Sequence, residues 1–406
     1  MNNRCLRGRF TGPGCNRVYG PASVGHSGEG TTHARSMCMW PYIWLMKKLH
    51  RLLYLLLCAA CAQQQVSLYA PPIFLETEQV QVHLYNSDTQ LSSVNYMADF
   101  GDYLIVAAYR EDGLLHLVDK NTGARFKSFG KQGYGSGMFY SVPIVNTNAA
   151  KSVLQTFEYA YGYSTHRTYK ASQLLDSEDQ MNLPDLEHMI TFYTEDGEML
   201  DEPKGATVDF LLLGDKRLFS RIKSRYRFII QDSIGSMLSD YSYFPSVEGV
   251  DSLHHTRSYL QACSAAKPDG SMFAIASTIG CILEIFSVNA DNHIVKTQEK
   301  RYYPPVFTLD KNLTLLRVEG VTSVGITWLA ATNKYLYAKY SGTTYTRNAL
   351  KGRTHTLAVF DWEGRPVKQY LLDISINKFL IDQERMRCYL TGYDRNDKAV
   401  MGYFDL

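Results

Sequence analysis

The sequence predicts an all-β fold, a six-bladed β-propeller of antiparallel four-stranded blades, on three observations. Short apolar runs succeed one another at hairpin spacing, no amphipathic helix of useful length interrupts them, and the body is long enough for six such units. Of 406 residues, 45% are hydrophobic, which is enough to fill one large domain.

The clearest unit is Asp99 to Gly137, DFGDYLIVAAYREDGLLHLVDKNTGARFKSFGKQGYGSG. An apolar run (Tyr103 to Ala108), a polar turn (Arg110 to Gly113) and a second run (Leu114 to Val118) come first. The turn Asp119-Lys120-Asn121-Thr122-Gly123 and a third run (Ala124 to Phe129) complete a meander. One meander cannot bury both its faces, so such units stack in series around an axis. Ahead of it, Ile73 to Tyr85 alternates Val80, Val82 and Leu84 against Gln81 and His83, as a half-buried strand does. Being first, it is expected to close the ring by pairing with the last blade, which contains Cys388 to Thr391. The glycines Gly130, Gly133, Gly135 and Gly137 suit a tight turn between blades. A phosphate cradle would need a helix directly after them, whereas Met138 to Val145 reads as strand.

Further strands are expected at VPIVN, SVLQTFEYAY and HMITFYT, then at Phe210 to Leu213 and Arg225 to Ile230, with an aromatic loop at Tyr241 to Pro245. Asp196-Gly197, Asp269-Gly270 and Glu363-Gly364 mark hairpins. The pattern is clearest from Cys263 to the C-terminus, which ends in strand. At roughly 50 residues per blade six blades fit residues 73–406, and seven are also compatible.

The N-terminal part reads differently. Residues 1–45 lack the periodicity of packed elements and read as a non-native extension or a disordered segment. Residues 46–61 have the form of a lipoprotein signal peptide: basic Met46-Lys47-Lys48, apolar Leu52 to Leu57, then Cys58-Ala59-Ala60-Cys61. Cys61 is the expected lipidation site and Cys58 the alternative, while a Cys58/Cys61 redox or metal pair lacks supporting context. Residues 62–72 form a tether without an acidic run. The expected address is therefore the outer membrane, held by a lipid anchor and facing the periplasm.

Residues 1–61 hold 8 of the 42 Lys+Arg and 1 of the 40 Asp+Glu, leaving the body with 34 basic against 39 acidic residues. A mildly acidic body without a basic cluster gives no footprint for nucleic acid. The three cysteines of the body, Cys263, Cys281 and Cys388, are no disulfide framework.

Several segments resemble the TolB-like six-bladed propeller lipoproteins of Gram-negative, Bacteroidetes-type bacteria. DYLIVAAYREDGLLHLVDKNTGARFKSFGKQGYGSGMF is similar to that family's opening blade, KPDGSMFAIASTIGCILEIFSVN to its "KPDGSKFA" blade, and LAVFDWEGRPVKQYLLD to its "VFDWDGNPV" unit. The resemblance spans roughly residues 73–406 and is weakest from Ser172 to Ser239. It implies the propeller and the envelope address, and it carries no catalytic residues over.

No catalytic, metal or cofactor site is assigned from the sequence. No Gly-x-Ser-x-Gly elbow occurs. Asp251, His254 and His255 read as a solvated loop, since adjacent histidines cannot share one strand face. Asp119-x-Asn121-x-Gly123 lacks the closing Glu of a calcium loop and reads as a turn. Tyr159, Tyr161, Tyr163, Tyr241, Tyr243, Tyr302, Tyr303, Tyr340 and Tyr345 suit either strand packing or a binding rim. The expected function is a non-enzymatic binding or scaffold propeller for an envelope protein or glycan. The alternative is a lactonase-like, metal-dependent hydrolase acting at the axis.

Overall fold

The computed structural model describes residues 69–85, 94–133, 138–148, 152–160, 163–176, 189–190, 206–222, 225–247, 256, 259, 262–309, 315–346 and 353–406. Two short strands, β1 (Glu76–Val80) and β2 (His83–Leu84), come first, and both find partners near the far end of the chain. Blade 1 is β3 (Val94–Phe100), β4 (Tyr103–Arg110), β5 (Gly113–Asp119) and β6 (Arg125–Phe129), in the order expected of a meander. Blade 2 is β7 (Ile144–Thr147), β8 (Val153–Ala160), β9 (Tyr163–Lys170) and β10 (Met189–Ile190), with a six-residue helix α1 (Ala171–Asp176) after β9.

Blade 3 is β11 (Ala206–Leu213), β12 (Lys216–Ile222), β13 (Phe228–Gln231) and β14 (Met237–Tyr241). Blade 4 is β15 (Cys263–Ala266), β16 (Met272–Ala276), β17 (Cys281–Val288) and β18 (Ile294–Tyr303). A minor pair, β19 (Thr308–Leu309) and β20 (Leu315–Leu316), leads into β21 (Ser323–Ala331), β22 (Tyr335–Thr344), β23 (Thr354–Asp361) and the long β24 (Pro366–Asp382). β24 belongs to two blades: Lys368 to Leu371 pair with β23, and Ser375 to Asp382 pair with β25 (Arg387–Tyr393), after which comes β26 (Ala399–Asp405). The eight-stranded sheet is thus blades 5 and 6 joined through one strand.

Six strands (β3, β7, β11, β15, β21 and the second half of β24) each neighbour the next, and the last returns to the first. They are the inner strands of a closed six-bladed ring. Six apolar clusters lie one between each pair of neighbouring blades. Phe157 against Phe210 and Phe219 joins blades 2 and 3, for example, and Leu104 and Val118 with Tyr389 and Met401 join blades 1 and 6. This is why strands in the blade middles are buried on both faces instead of alternating.

Closure agrees with the expectation that the first strand meets the last blade. β2 pairs antiparallel with β26, His83 opposite Tyr403, and supplies the fourth strand of blade 6. The expected single strand is in fact two. Val82 donates its amide to Asp373 Oδ1 at 3.0 Å, and β1 turns off to run parallel along β24 at the rim of blade 5. It covers an edge that would otherwise be open to other strands. Tyr85 completes the seam: its amide donates to Met401 O at 3.0 Å and its hydroxyl to Lys120 O. Gly123, at φ 69°, closes the turn against which Tyr85 lies, and a Cβ there would collide with that ring.

Three expectations are corrected. Met138 to Val145 is not continuous strand: the inter-blade connection makes one bridge, Gln132 to Phe139, and β7 starts at Ile144. The stretch Lys216 to Ile222 is a strand, overlooked because its outward positions are arginines; Arg217 and Arg221 are nonetheless buried against neighbouring strands. The aromatic loop at Tyr241 begins inside β14, where Tyr241 packs on Phe228 and Phe286.

Asp119, Asp232, Asn289 and Asp361 stand at the same corner of blades 1, 3, 4 and 5, before the fourth strand. In each, one side-chain oxygen accepts backbone amides two and three or four residues on. This fixes the hairpin without requiring any particular side chain beyond the acceptor.

His116 of β5 is fully buried as a neutral ring. Its Nε2 donates to Ala108 O at 3.2 Å, leaving Nδ1 to accept from the Ser128 hydroxyl at 2.9 Å. Burial lowers its pKa to about 4, and that of His166 to about 3. Unfolding exposes rings that protonate near 6.5, so the unfolded chain binds more protons as pH falls below that value. The stability these histidines lend is complete above pH 6.5 and is lost between 6.5 and about 4, at about 1.4 kcal/mol per pH unit for His116 alone. Urea midpoints at pH 7 and pH 5 should show this fall, and His116→Gln should flatten it.

Candidate functional site

The ring of inner strands encloses an axial space with two ends. At the C-terminal ends of the strands it widens into a cavity of about 730 Å³ to which every blade contributes, including Asn146, Phe210, Ala265, Trp328 and Phe379. At the other end, between blades 1 and 6, lies a smaller hollow of about 250 Å³ lined by Val94, Asn95, Tyr96, Asn377, Lys378 and Tyr393.

Polar side chains along the axis rivet blade to blade. Asn146 donates to Phe210 O at 2.9 Å, joining blades 2 and 3. Asp209 Oδ2 accepts the Ser264 amide at 3.0 Å and also its hydroxyl, joining 3 and 4. Thr278 donates to Ile326 O at 3.0 Å, joining 4 and 5, and Trp328 Nε1 donates to Phe379 O at 2.9 Å, joining 5 and 6. Asn377 donates to Val94 O at 3.2 Å, joining blades 6 and 1. At these five junctions a polar group on the open edge of an inner strand finds its partner on the next blade.

A shared irregularity aims the axial side chains. The pairing of the inner strand with its neighbour slips between Val94 and Tyr96, Thr207 and Asp209, Ile326 and Trp328, and Ile376 and Lys378. A bulge of one residue rephases the alternation and re-aims the next side chain. The residues just after the four bulges are Tyr96, Asp209, Trp328 and Lys378. They come from four blades and meet at the axis.

Their environment shifts their acidity. Burial pushes the Asp209 carboxyl up to about 6, against the pull of its hydrogen bonds. Burial brings the amines of Lys339 and Lys378 down to about 8, and for Lys378 the neighbouring Lys339 charge adds to the effect. Tyr96 is pushed up to about 12 by burial and by Asp209, so it stays a donor at neutral pH. Burial holds the Cys263 thiol well above its usual range, so it is no nucleophile. Cys263, Cys281 and Cys388 are all free and buried. Perturbed groups converging in a cleft are what a functional site offers, although scaffold ion pairs do the same.

The residues singled out from the sequence fall elsewhere. Cys58, Cys61, Asp251, His254, His255, Tyr161 and the glycines at 135 and 137 lie outside the described residues. Asp119 is a turn, its Oδ1 accepting the amides of Asn121 and Thr122. Among the tyrosines, Tyr302 and Tyr340 are buried; the Tyr302 hydroxyl donates to Gly364 O at 2.8 Å, and the hydroxyls of Tyr303 and Tyr340 are 3.0 Å apart. Tyr243 is exposed, but none of the described tyrosines among these candidates lines the axial cavity. Among the described residues no three His, Cys, Asp or Glu side chains gather as a metal site requires. Sequence reasoning passed over Tyr96, Asp209, Trp328, Lys339 and Lys378. The signal was there for two of them: Asp209 in TVDFLLL and Lys378 in INKFLID are charges inside apolar strands.

Residues 195–384 match the TolB-like 6-blade propeller-like family. The match covers just under half of the chain, and the fold it shares is that of a six-bladed propeller. The match runs through blades 3, 4 and 5 to the end of the inner strand of blade 6. It includes Asp209, Trp328, Lys339 and Lys378, and it takes in the stretch up to Ser239 where the resemblance read from motifs is weakest. No curated protein matches the chain. Among solved structures, a member of the DUF4221 family from Bacteroides vulgatus is 8% identical, covering 83% of this chain and 96% of its own, at a TM-score of 0.44. The Cps50 (Swd1) β-propeller domain of Myceliophteria thermophila is 11% identical, covering 77% and 84%, at 0.43. Hydrazine synthase of Kuenenia stuttgartiensis is 11% identical, covering 77% and 84%, at 0.41. At this distance none of them bears on what this propeller binds.

Proposed function

We propose that this protein is a non-enzymatic binding or scaffold propeller of the cell envelope, lipidated at Cys61 and held on the periplasmic face of the outer membrane. Its wide axial mouth takes a protein or glycan partner. The observation that supports this is the cavity of about 730 Å³, to which the strand ends of all six blades contribute both apolar surface and hydrogen-bonding groups. Concave sites of this size with a few polar groups among apolar walls are suited to capture a ligand. The axial Asp209, Trp328 and Asn377 are held in hydrogen bonds that join blades, which is scaffold chemistry.

A thermal-shift screen against envelope glycans, envelope protein fragments and divalent metals, with and without EDTA, tests the reading. A partner at 100 times its Kd should add about 2.7 kcal/mol of stability, indifferent to EDTA. Saturable stabilisation by calcium or zinc alone, lost on chelation, would reject it in favour of a metal-dependent hydrolase.

A further inference from the structure

The narrow end of the axis differs from the mouth in one respect. There the polar groups are not all taken up by neighbouring blades. Lys378 Nζ stands 3.6 Å from the centre of the Trp328 ring and 5.6 Å from that of Tyr96. It is more than 4 Å from every carboxylate among the described residues, and no oxygen of theirs accepts any of its three protons. Lys339, from the second strand of blade 5, donates to Asn377 O at 3.4 Å and adds a second positive charge. Among the described residues the carboxylate that acts on Lys378 is Asp209, whose oxygens accept from the amides of Phe210 and Ser264 and from the Ser264 hydroxyl. The Tyr96 hydroxyl is a second donor with no acceptor among the described residues, and the exposed Asn95 side chain borders the same hollow.

Lys378 is half-buried, and a partly desolvated ammonium with no carboxylate beside it gains from an anion that can reach it. We propose that the hollow formed by Asn95, Tyr96, Asn377, Lys378 and Tyr393 is a binding site for a small oxyanion, a phosphate or a carboxylate, with the Lys378 ammonium as its counter-charge and Tyr96 and Asn95 as further donors. The volume of about 250 Å³ accommodates a phosphate or one acidic sugar residue. The cation–π contact with Trp328 fixes the amine without using its N–H groups, so the donors remain available. Lys339, whose charge acts against that of Lys378, would share the charge of a bound anion. The hollow shares Tyr96 with the mouth cavity; loss of small-anion binding with partner capture at the mouth intact would sink this proposal and leave the binding-propeller reading standing.

The test is titration of the full-length protein with sodium phosphate, sodium glucuronate and sodium acetate, against sodium chloride at matched ionic strength. Binding is read by thermal shift and by NMR of the lysine side-chain nitrogens. Phosphate alone, or glucuronate and acetate alone, should give a saturable shift, which distinguishes the two sources. Affinity should fall at least tenfold in Lys378→Met and weaken as pH rises through 8, where the amine discharges. Equal effects of all four salts, or wild-type affinity in Lys378→Met, would overturn the proposal. Should that variant fail to fold, the wild-type lysine signals decide: two that move and saturate together support the site, and none moving removes it.

Discussion

Glu284→Leu should destabilise the protein by about 3–5 kcal/mol, because it strands a buried guanidinium. Arg227 is 1% exposed and Glu284 fully buried; they meet as a two-pronged pair, with Nη1 to Oε1 at 3.0 Å and Nη2 closing on Oε2. Tyr259 donates its hydroxyl to the same carboxylate at 3.1 Å, and the guanidinium lies within 5 Å of the rings of Phe228, Phe244 and Tyr259. The pair raises the Arg227 pKa despite complete burial; with Glu284 gone the guanidinium, which proteins do not deprotonate, stays charged and loses its counter-ion. For a body of this length, 4 kcal/mol corresponds to about a 6 °C fall in Tm. Replacing both partners, Arg227→Met with Glu284→Leu, should recover much of the loss, since apolar groups of similar size often substitute for a buried pair at little cost. A double variant as unstable as the sum of the singles would contradict this.

Lys120→Met should cost a similar amount and act at the ring seam. Lys120 is completely buried, and its ammonium joins Asp99 of blade 1 at 2.5 Å to Asp382 of blade 6 at 2.6 Å. Removing the cation leaves two carboxylates facing each other across the junction through which the ring closes. Asp382 keeps the amides of Glu384 and Arg385 and a distant Arg385 guanidinium. Equilibrium unfolding should show the loss, and limited proteolysis should cut first between blades 6 and 1. Cleavage elsewhere would place the weak junction in another blade pair.

How much of this was legible depended on local chemistry. The hairpins of blades 1, 4 and 5 showed themselves because their turns carry Asp, Asn and Gly where the backbone needs an acceptor or a positive φ. The Asp/Asn acceptor recurs at the same corner in blade 3, as Asp232, and aligning the four corners would have revealed that blade from sequence. β12 was hidden because a buried Arg217 or Arg221 reads as polar and outward. The axial site was least legible. Its residues lie in four blades and are aimed by bulges at Tyr96, Asp209, Trp328 and Lys378, a one-residue slip that leaves no mark on composition or period. The buried ion pairs were invisible for a related reason: Lys120 and Asp382 are 262 positions apart.

The axial cavity exists only if six blades close into one ring, and closure rests on the short strand His83–Leu84. Hydrogen exchange of the intact protein, read by mass spectrometry over residues 76–85 and 399–405, measures it directly. The amides of Val82 and Tyr85 should exchange as slowly as those of β26, by the same global opening, because each is held by the last blade or by its junction with blade 5. Exchange of residues 76–85 within seconds, while β26 stays protected, would mean that the N-terminal strand does not close the ring.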